Sequence, residues 1–180
     1  MKNILLLILF TNLALTNLVA ESFMLASMDK FNGALGPVKV GSTTYPKYDT
    51  TMTGPSVVLG DKTEYISYAS VFYFQAGSLN GDYRYLNRDN EATINYYLVG
   101  YRFHIGNRQN FIRPIFGVDV GTGDVSVQKI GLAYTYSFVG LVTGVDVKIT
   151  KDTSLNLIMQ TANNDGATYK RYSYGIAHTF

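Results

Sequence analysis

Residues 169–180 read YKRYSYGIAHTF, and the chain stops on that phenylalanine. Counted in steps of two from the end, Phe180, His178, Ile176, Tyr174 and Tyr172 share one face, while Thr179, Ala177, Gly175, Ser173 and Arg171 share the other. Alternate side chains of an extended backbone leave opposite sides of it, so this is a strand with an aromatic face and a small or polar one. A strand in a soluble core would seldom end on its largest hydrophobe beside a carboxylate that must stay solvated. A strand whose greasy face meets lipid, with its end at the membrane surface, satisfies both demands.

The same alternation recurs on the way back toward the N-terminus. Residues 154–162 place Leu155, Leu157 and Met159 outward. Residues 139–149 set Val139, Leu141, Thr143, Val145, Val147 and Ile149 against Gly140, Val142, Gly144, Asp146 and Lys148. Residues 110–120, 92–105 and 64–76 alternate too, with Pro114 predicting a bulge or a weakened pairing because it lacks a ladder donor. Residues 56–60 read as a short strand and 60–62 as a tight turn; residues 22–31 form the least regular strand, with large apolar groups on both parities. Residues 77–91 are charged and read as an exposed loop, and residues 32–53 as a longer loop that could hold a short hairpin around 38–45.

Residues 121–138 decide the strand number. GTGD is a turn signal, and the VSVQKIGLAYTYSF that follows is either an extended external loop or a strand in its own right. In the first case the chain has eight main strands, the number we favour. In the second, together with a hairpin near Val38, it has ten.

Composition agrees with a β protein that is apolar outside. The 180 residues include 15 Tyr, 10 Phe and 17 Gly, and only 16% are charged. Lys plus Arg is 15 and Asp plus Glu is 13, with no basic stripe of the kind that tracks nucleic acid. There is no cysteine, which excludes a disulfide scaffold and thiolate chemistry. The opening MKNILLLILFTNLALTNLVA has the charged start, apolar run and small final residue of a secretory signal peptide, predicting domain boundaries of 1–20 for the signal and 21–180 for the mature domain. No later run is apolar over a helical span. In a membrane protein that leaves a closed barrel, because backbone polar groups in lipid must be satisfied within the fold.

An aromatic last residue preceded by apolar or aromatic residues at alternate positions resembles the closing strand of bacterial outer-membrane β-barrels. Tyr172, Tyr174, Ile176 and Phe180 match that assembly signal, and His178 departs from it. With the signal peptide and the alternation of short and long connections, the mature chain resembles the small eight-stranded outer-membrane barrels of the OmpA-like and opacity-protein kind. The resemblance implies an antiparallel, up-and-down transmembrane β-barrel in the outer membrane of a Gram-negative cell. It also implies lipid and lipopolysaccharide around the wall, the barrel assembly machinery and periplasmic chaperones as partners in biogenesis, and a monomer without cofactor. The expected role is structural or surface contact, through envelope integrity, adhesion or host binding by the external loops. The rivals are a narrow porin-like channel, a lipid A modifying enzyme and a soluble periplasmic barrel.

The sequence offers little catalytic chemistry. His104 and His178 are the two histidines, and neither is followed by the serine that the barrel deacylases carry two residues on. No spaced set of metal ligands is present. Parity instead directs Arg102, Arg113, Asp146 and Lys148 inward near the periplasmic end as a cluster of mixed sign, while Glu64 falls on the outer parity of its strand. An eight-stranded barrel is just wide enough to be filled by side chains, so such a cluster is expected to plug the lumen.

Overall fold

The computed structural model describes residues 20–164 and 167–180. The predicted signal peptide lies outside them except for Ala20, the first residue of β1. The strands are β1 (Ala20–Leu35), β2 (Val38–Val40), β3 (Thr43–Tyr45), β4 (Tyr48–Glu64), β5 (Tyr68–Tyr85), β6 (Arg88–Ile105), β7 (Ile112–Val127), β8 (Leu132–Lys148), β9 (Thr153–Asn164) and β10 (Ala167–Thr179). Eight of them close into an antiparallel barrel in the ring order β1-β10-β9-β8-β7-β6-β5-β4. β2 and β3 pair only with each other, so the hairpin near Val38 exists but does not raise the count to ten.

The register fixes the tilt. Following paired residues around the ring, Asp61 leads to Phe72, Tyr101, Val118, Leu141, Thr161, Lys170 and Asn32, and returns to β4 at Thr51, ten residues above its start. A stagger of that size in eight strands corresponds to strands tilted by roughly 40°. The start of β1 and the end of β10, with the turns at residues 65–67, 106–111 and 149–152, lie at one end of the barrel. The β2–β3 excursion and the tips at 86–87 and 128–131 lie at the other.

The most informative feature is a change of phase halfway up the wall. On β6 the outward residues Tyr97, Val99 and Ile105 are apolar and exposed, and the inward ones are Leu98, Gly100, Arg102 and His104. Above Tyr97 the faces exchange character: Ala92, Ile94 and Tyr96 point inward and are buried, while Glu91 points out. β8 does the same, with Val139 and Leu141 each 65% exposed below and Leu132, Tyr136 and Phe138 buried inside above. β6 and β8 therefore cross an apolar belt for about 9 residues, the length that a tilted transmembrane strand needs, and then continue as the wall of a water-facing barrel with an apolar core. Among the described residues no helix is long and apolar enough to span a membrane.

This phase change explains where the sequence reading went astray. The predicted turn at 60–62 is strand, because β4 runs unbroken to Glu64 and turns at 65–67. Residues 77–91 are no loop: β5 and β6 meet in a two-residue tip, Leu86 and Asn87, both with positive φ, the backbone twist that suits tight hairpins. Residues 121–138 are neither an extended loop nor an extra strand, since they supply the upper halves of β7 and β8 and the short turn between them. Residues 22–31 alternate cleanly, with Phe23, Leu25, Asp29 and Phe31 inside and Met24 and Met28 outside. Their large residues on both parities confused the reading because this lumen is packed with aromatics. Pro114 sits in an unbulged register with Val145, and the ladder to β6 stops one residue away at Ile115, so little pairing is lost.

Inward glycines make room for those aromatics. A methyl group on Gly77 would collide with the Tyr96 hydroxyl, and one on Gly100 with the Tyr73 ring. Each glycine is the cradle of a tyrosine reaching across from a neighbouring strand.

Candidate functional site

Among the described residues polar side chains converge in the lumen, which is built in layers. At the end where β1 begins and β10 stops, β7 and β8 are registered so that Arg113 lies beside Asp146. The Arg113 guanidinium donates to Asp146 Oδ2 at 2.7 Å through Nη2 and to Glu64 at 3.0 Å through Nη1. His104 Nδ1 is 3.1 Å from Asp146 Oδ2, and Asn156 Nδ2 donates to Asp146 Oδ1 at 3.0 Å. Lys62 Nζ donates to the same Glu64 oxygen, Oε1, at 2.7 Å. Glu64 thus points inward, against the outer parity expected of it, because β4 does not turn at 60–62 and keeps its phase to the end. At this rim, burial works against the Glu64 carboxylate, but Lys62 and Arg113 together outweigh it and hold its pKa below the usual carboxylate range.

Of the predicted cluster, Arg113 and Asp146 come together. Lys148 does not join them, donating at 3.1 Å to the Arg108 carbonyl at the rim. Arg102 is also separate and lies deeper, its guanidinium 5.0 Å from the ring centre of Phe23 and 4.9 Å from that of Tyr73. Facing aromatic rings offer a desolvated cation their negative π surfaces, a contact worth more than at an exposed site.

A second layer higher up was missed. The Tyr96 hydroxyl donates to Asp29, and Gln75 Nε2 lies 3.2 Å from the same carboxylate and 3.0 Å from Ser56 Oγ, which in turn bonds Ser27 at 2.7 Å. Arg171 donates to Gln75 Oε1 at 3.2 Å, stacks 4.5 Å from the Tyr96 ring centre and approaches Asp29 at 3.8 Å. Asp119 accepts from Gln160 and from the Tyr73 hydroxyl. The signal was available: Asp29, Asp119 and Arg171 are charged residues on the parity opposite an apolar stripe.

Above these layers the interior turns apolar. Phe31, Met52, Leu79, Ile94, Phe138 and Tyr169 are buried there, with the Phe31 and Tyr169 ring centres 4.8 Å apart. The β2–β3 hairpin folds over the mouth, its Tyr45 hydroxyl directed at the Ile130 carbonyl at 3.4 Å. Tyr83 ties down the chain just after it, donating to the Pro46 carbonyl at 2.9 Å.

The residues of the proposed assembly signal all face out: Tyr172 is 37% exposed, Tyr174 54%, Ile176 57% and Phe180 70%. The Phe180 amide donates to the Ser22 carbonyl at 2.9 Å, so the last residue is stitched to the first strand. His178, the departure from the pattern, bonds Thr153 Oγ1 at 3.0 Å and stacks edge-on to Phe180.

A closed barrel with an apolar belt outside and paired charges within is a transmembrane β-barrel. Among solved structures, its fold is that of the small outer-membrane barrels. Neisserial surface protein A (NspA) superposes with a TM-score of 0.60 at 12% identity, covering 88% of this chain and 97% of that one. The outer membrane protein OprG from Pseudomonas aeruginosa gives 0.62 at 8% identity, over 91% and 97% of the two chains. Ail, the attachment invasion locus protein of Yersinia pestis, solved with the heparin analogue sucrose octasulfate, gives 0.52 at 13% identity, over 89% and 99%. No protein-family model and no curated sequence matches.

Proposed function

We propose that the protein is a sealed, non-catalytic barrel of the outer membrane that works by contact at the cell surface. The observation that carries this reading is the filling of the lumen. Ion-paired layers occupy the belt, an aromatic core occupies the upper half, and the β2–β3 hairpin covers the mouth. A barrel so filled has no path for solute, and interior charges paired at these distances serve as a plug. What remains available is the outer wall above the belt, together with the hairpin and the tips. The attachment role in the name of Ail, and its sulfated ligand, support surface contact as the use of such a fold.

The test has two arms. Purified protein in planar bilayers should give no steady conductance. A non-adherent Gram-negative strain displaying it should gain adherence to extracellular matrix or heparin-coated surfaces, and lose it when residues 38–45 are replaced by a short Gly-Ser link. Steady conductance would favour the channel reading. Adherence that never differs from the parent strain would remove surface binding and leave an envelope role.

A further inference from the structure

The apolar belt is not equally tall around the barrel. Because the paired line climbs ten residues in one circuit of eight strands, levels on different strands can be compared. Four strands on from Asp61, Leu141 stands five residues higher, so the residues level with Asp61 on the opposite wall are Val145 and Val147. Asp61 is exposed and outward, and among the described residues it makes no ion pair. Exposed Ser22, its β1 neighbour in the register, and Thr63 below it continue the polar surface.

The two edges of the belt behave differently. At the outer edge the first polar outward residues are Lys30, Thr53, Ser78, Asn95, Thr122, Ser137, Thr161 and Lys170, one per strand. They stay within about one and a half residues of a common level. At the periplasmic edge the lowest large apolar residues on β1 and β4 are Met24 and Leu59, whereas on β5 the outward aromatics continue down to Tyr68. The lowest on β6, β7 and β8 (Ile105, Ile112 and Val147) reach about three residues below Met24 and Leu59, roughly 7 Å along the axis at this tilt. Tilting the barrel would move both edges together, so it cannot match a flat outer edge to a stepped inner one. The lipid has to adapt.

We propose that the β1–β4 face is a phospholipid headgroup site that thins the periplasmic leaflet locally. Headgroups rise beside β4 to the level of Asp61, whose carboxylate complements the ammonium of phosphoethanolamine. Leu59, Phe72, Phe74 and Phe180 form the apolar part of the groove that Asp61 and Ser22 line. The occupant is lipid. A second copy of the chain covering this face is the competing outcome.

The absence of native cysteine makes the experiment direct. Nitroxide labels on single variants Thr63→Cys, Ser22→Cys, Leu59→Cys, Val147→Cys and Ile149→Cys are read in vesicles of phosphatidylethanolamine and phosphatidylglycerol. Collision rates with a water-soluble nickel chelate and with membrane-dissolved oxygen are compared, after heat modifiability has verified insertion. Labels at 63 and 22 should be nickel-accessible, and labels at 147 and 149 oxygen-accessible, although all lie near one level. Adding Ser22→Leu and Asp61→Leu should move the label at 63 from the nickel class to the oxygen class. Equal accessibility at 63 and 147 would overturn the inference, as would efficient disulfide cross-linking between copies of the unlabelled Leu59→Cys variant.

Discussion

The sharpest test of the phase change compares one substitution at two outward positions of a single strand. Val145 and Ala133 both leave β8 on its outer face, and the register places them twelve residues apart. At about 3.3 Å per residue and a tilt near 40°, that separation is about 30 Å along the axis, more than the height of a hydrocarbon belt. Val145 lies near the middle of the β8 stripe that runs from Val139 down to Ile149, and Ala133 lies above it among polar neighbours. An arginine at mid-depth costs about 2–4 kcal/mol on the lipid face of such barrels, and near the interface or beyond it about 0–1 kcal/mol. Val145→Arg should therefore lose about 2–4 kcal/mol, and Ala133→Arg should fall within about 0.5 kcal/mol of the parent, the usual range for surface changes. The assay is reversible guanidinium unfolding in phospholipid vesicles, followed by the heat-modifiable band on gels. Equal losses at the two positions would refute the two-part wall, and a larger loss at Ala133 would invert it.

Other consequences are equally open to measurement. Arg113→Ala leaves Asp146 and Glu64 buried without their shared partner, and should cost about 3–5 kcal/mol in the same unfolding assay. Ile94→Ala should cost about 2–5 kcal/mol although the residue lies outside the belt, because the upper barrel is held by an ordinary apolar core. Glu64 has a depressed folded pKa, so its contribution is complete above its unfolded-chain value and is lost as the pH falls through the folded one. Stability between pH 7 and pH 3 should thus decline less steeply in Glu64→Gln than in the parent. Tyr83→Phe removes the bond to the Pro46 carbonyl, and should speed trypsin cleavage at Lys39 and Lys47 without altering the unfolding midpoint of the barrel.

The belt was legible in the sequence because lipid imposes one rule on one face: every second residue from Val139 to Val147, or from Tyr172 to Phe180, had to suit an apolar surround. The closing strand, the parity of β8, β9 and β10 and an inward cluster of mixed sign containing Arg113 and Asp146 all followed from it. The upper halves of the strands were not legible, since the apolar residues change sides at Tyr96 and Tyr97 on β6 and at Phe138 and Val139 on β8. An alternation that slips by one looks like the end of a strand, and charged residues just beyond it look like a loop. The Asp29–Arg171 layer escaped for a related reason. Its members come from opposite ends of the chain, and only closure of β1 against β10 brings them together.

On the surface role proposed above, the continuation of the sheet almost to the β5–β6 tip decides what an outside molecule meets there. At Leu86 and Asn87 only two residues separate one strand from the next, so the outermost surface is pleated backbone held in register. Immune recognition of that rim would be of discontinuous, conformation-dependent epitopes drawn from several hairpins. Synthetic peptides copied from single tips would raise sera that fail to bind the native bacterium.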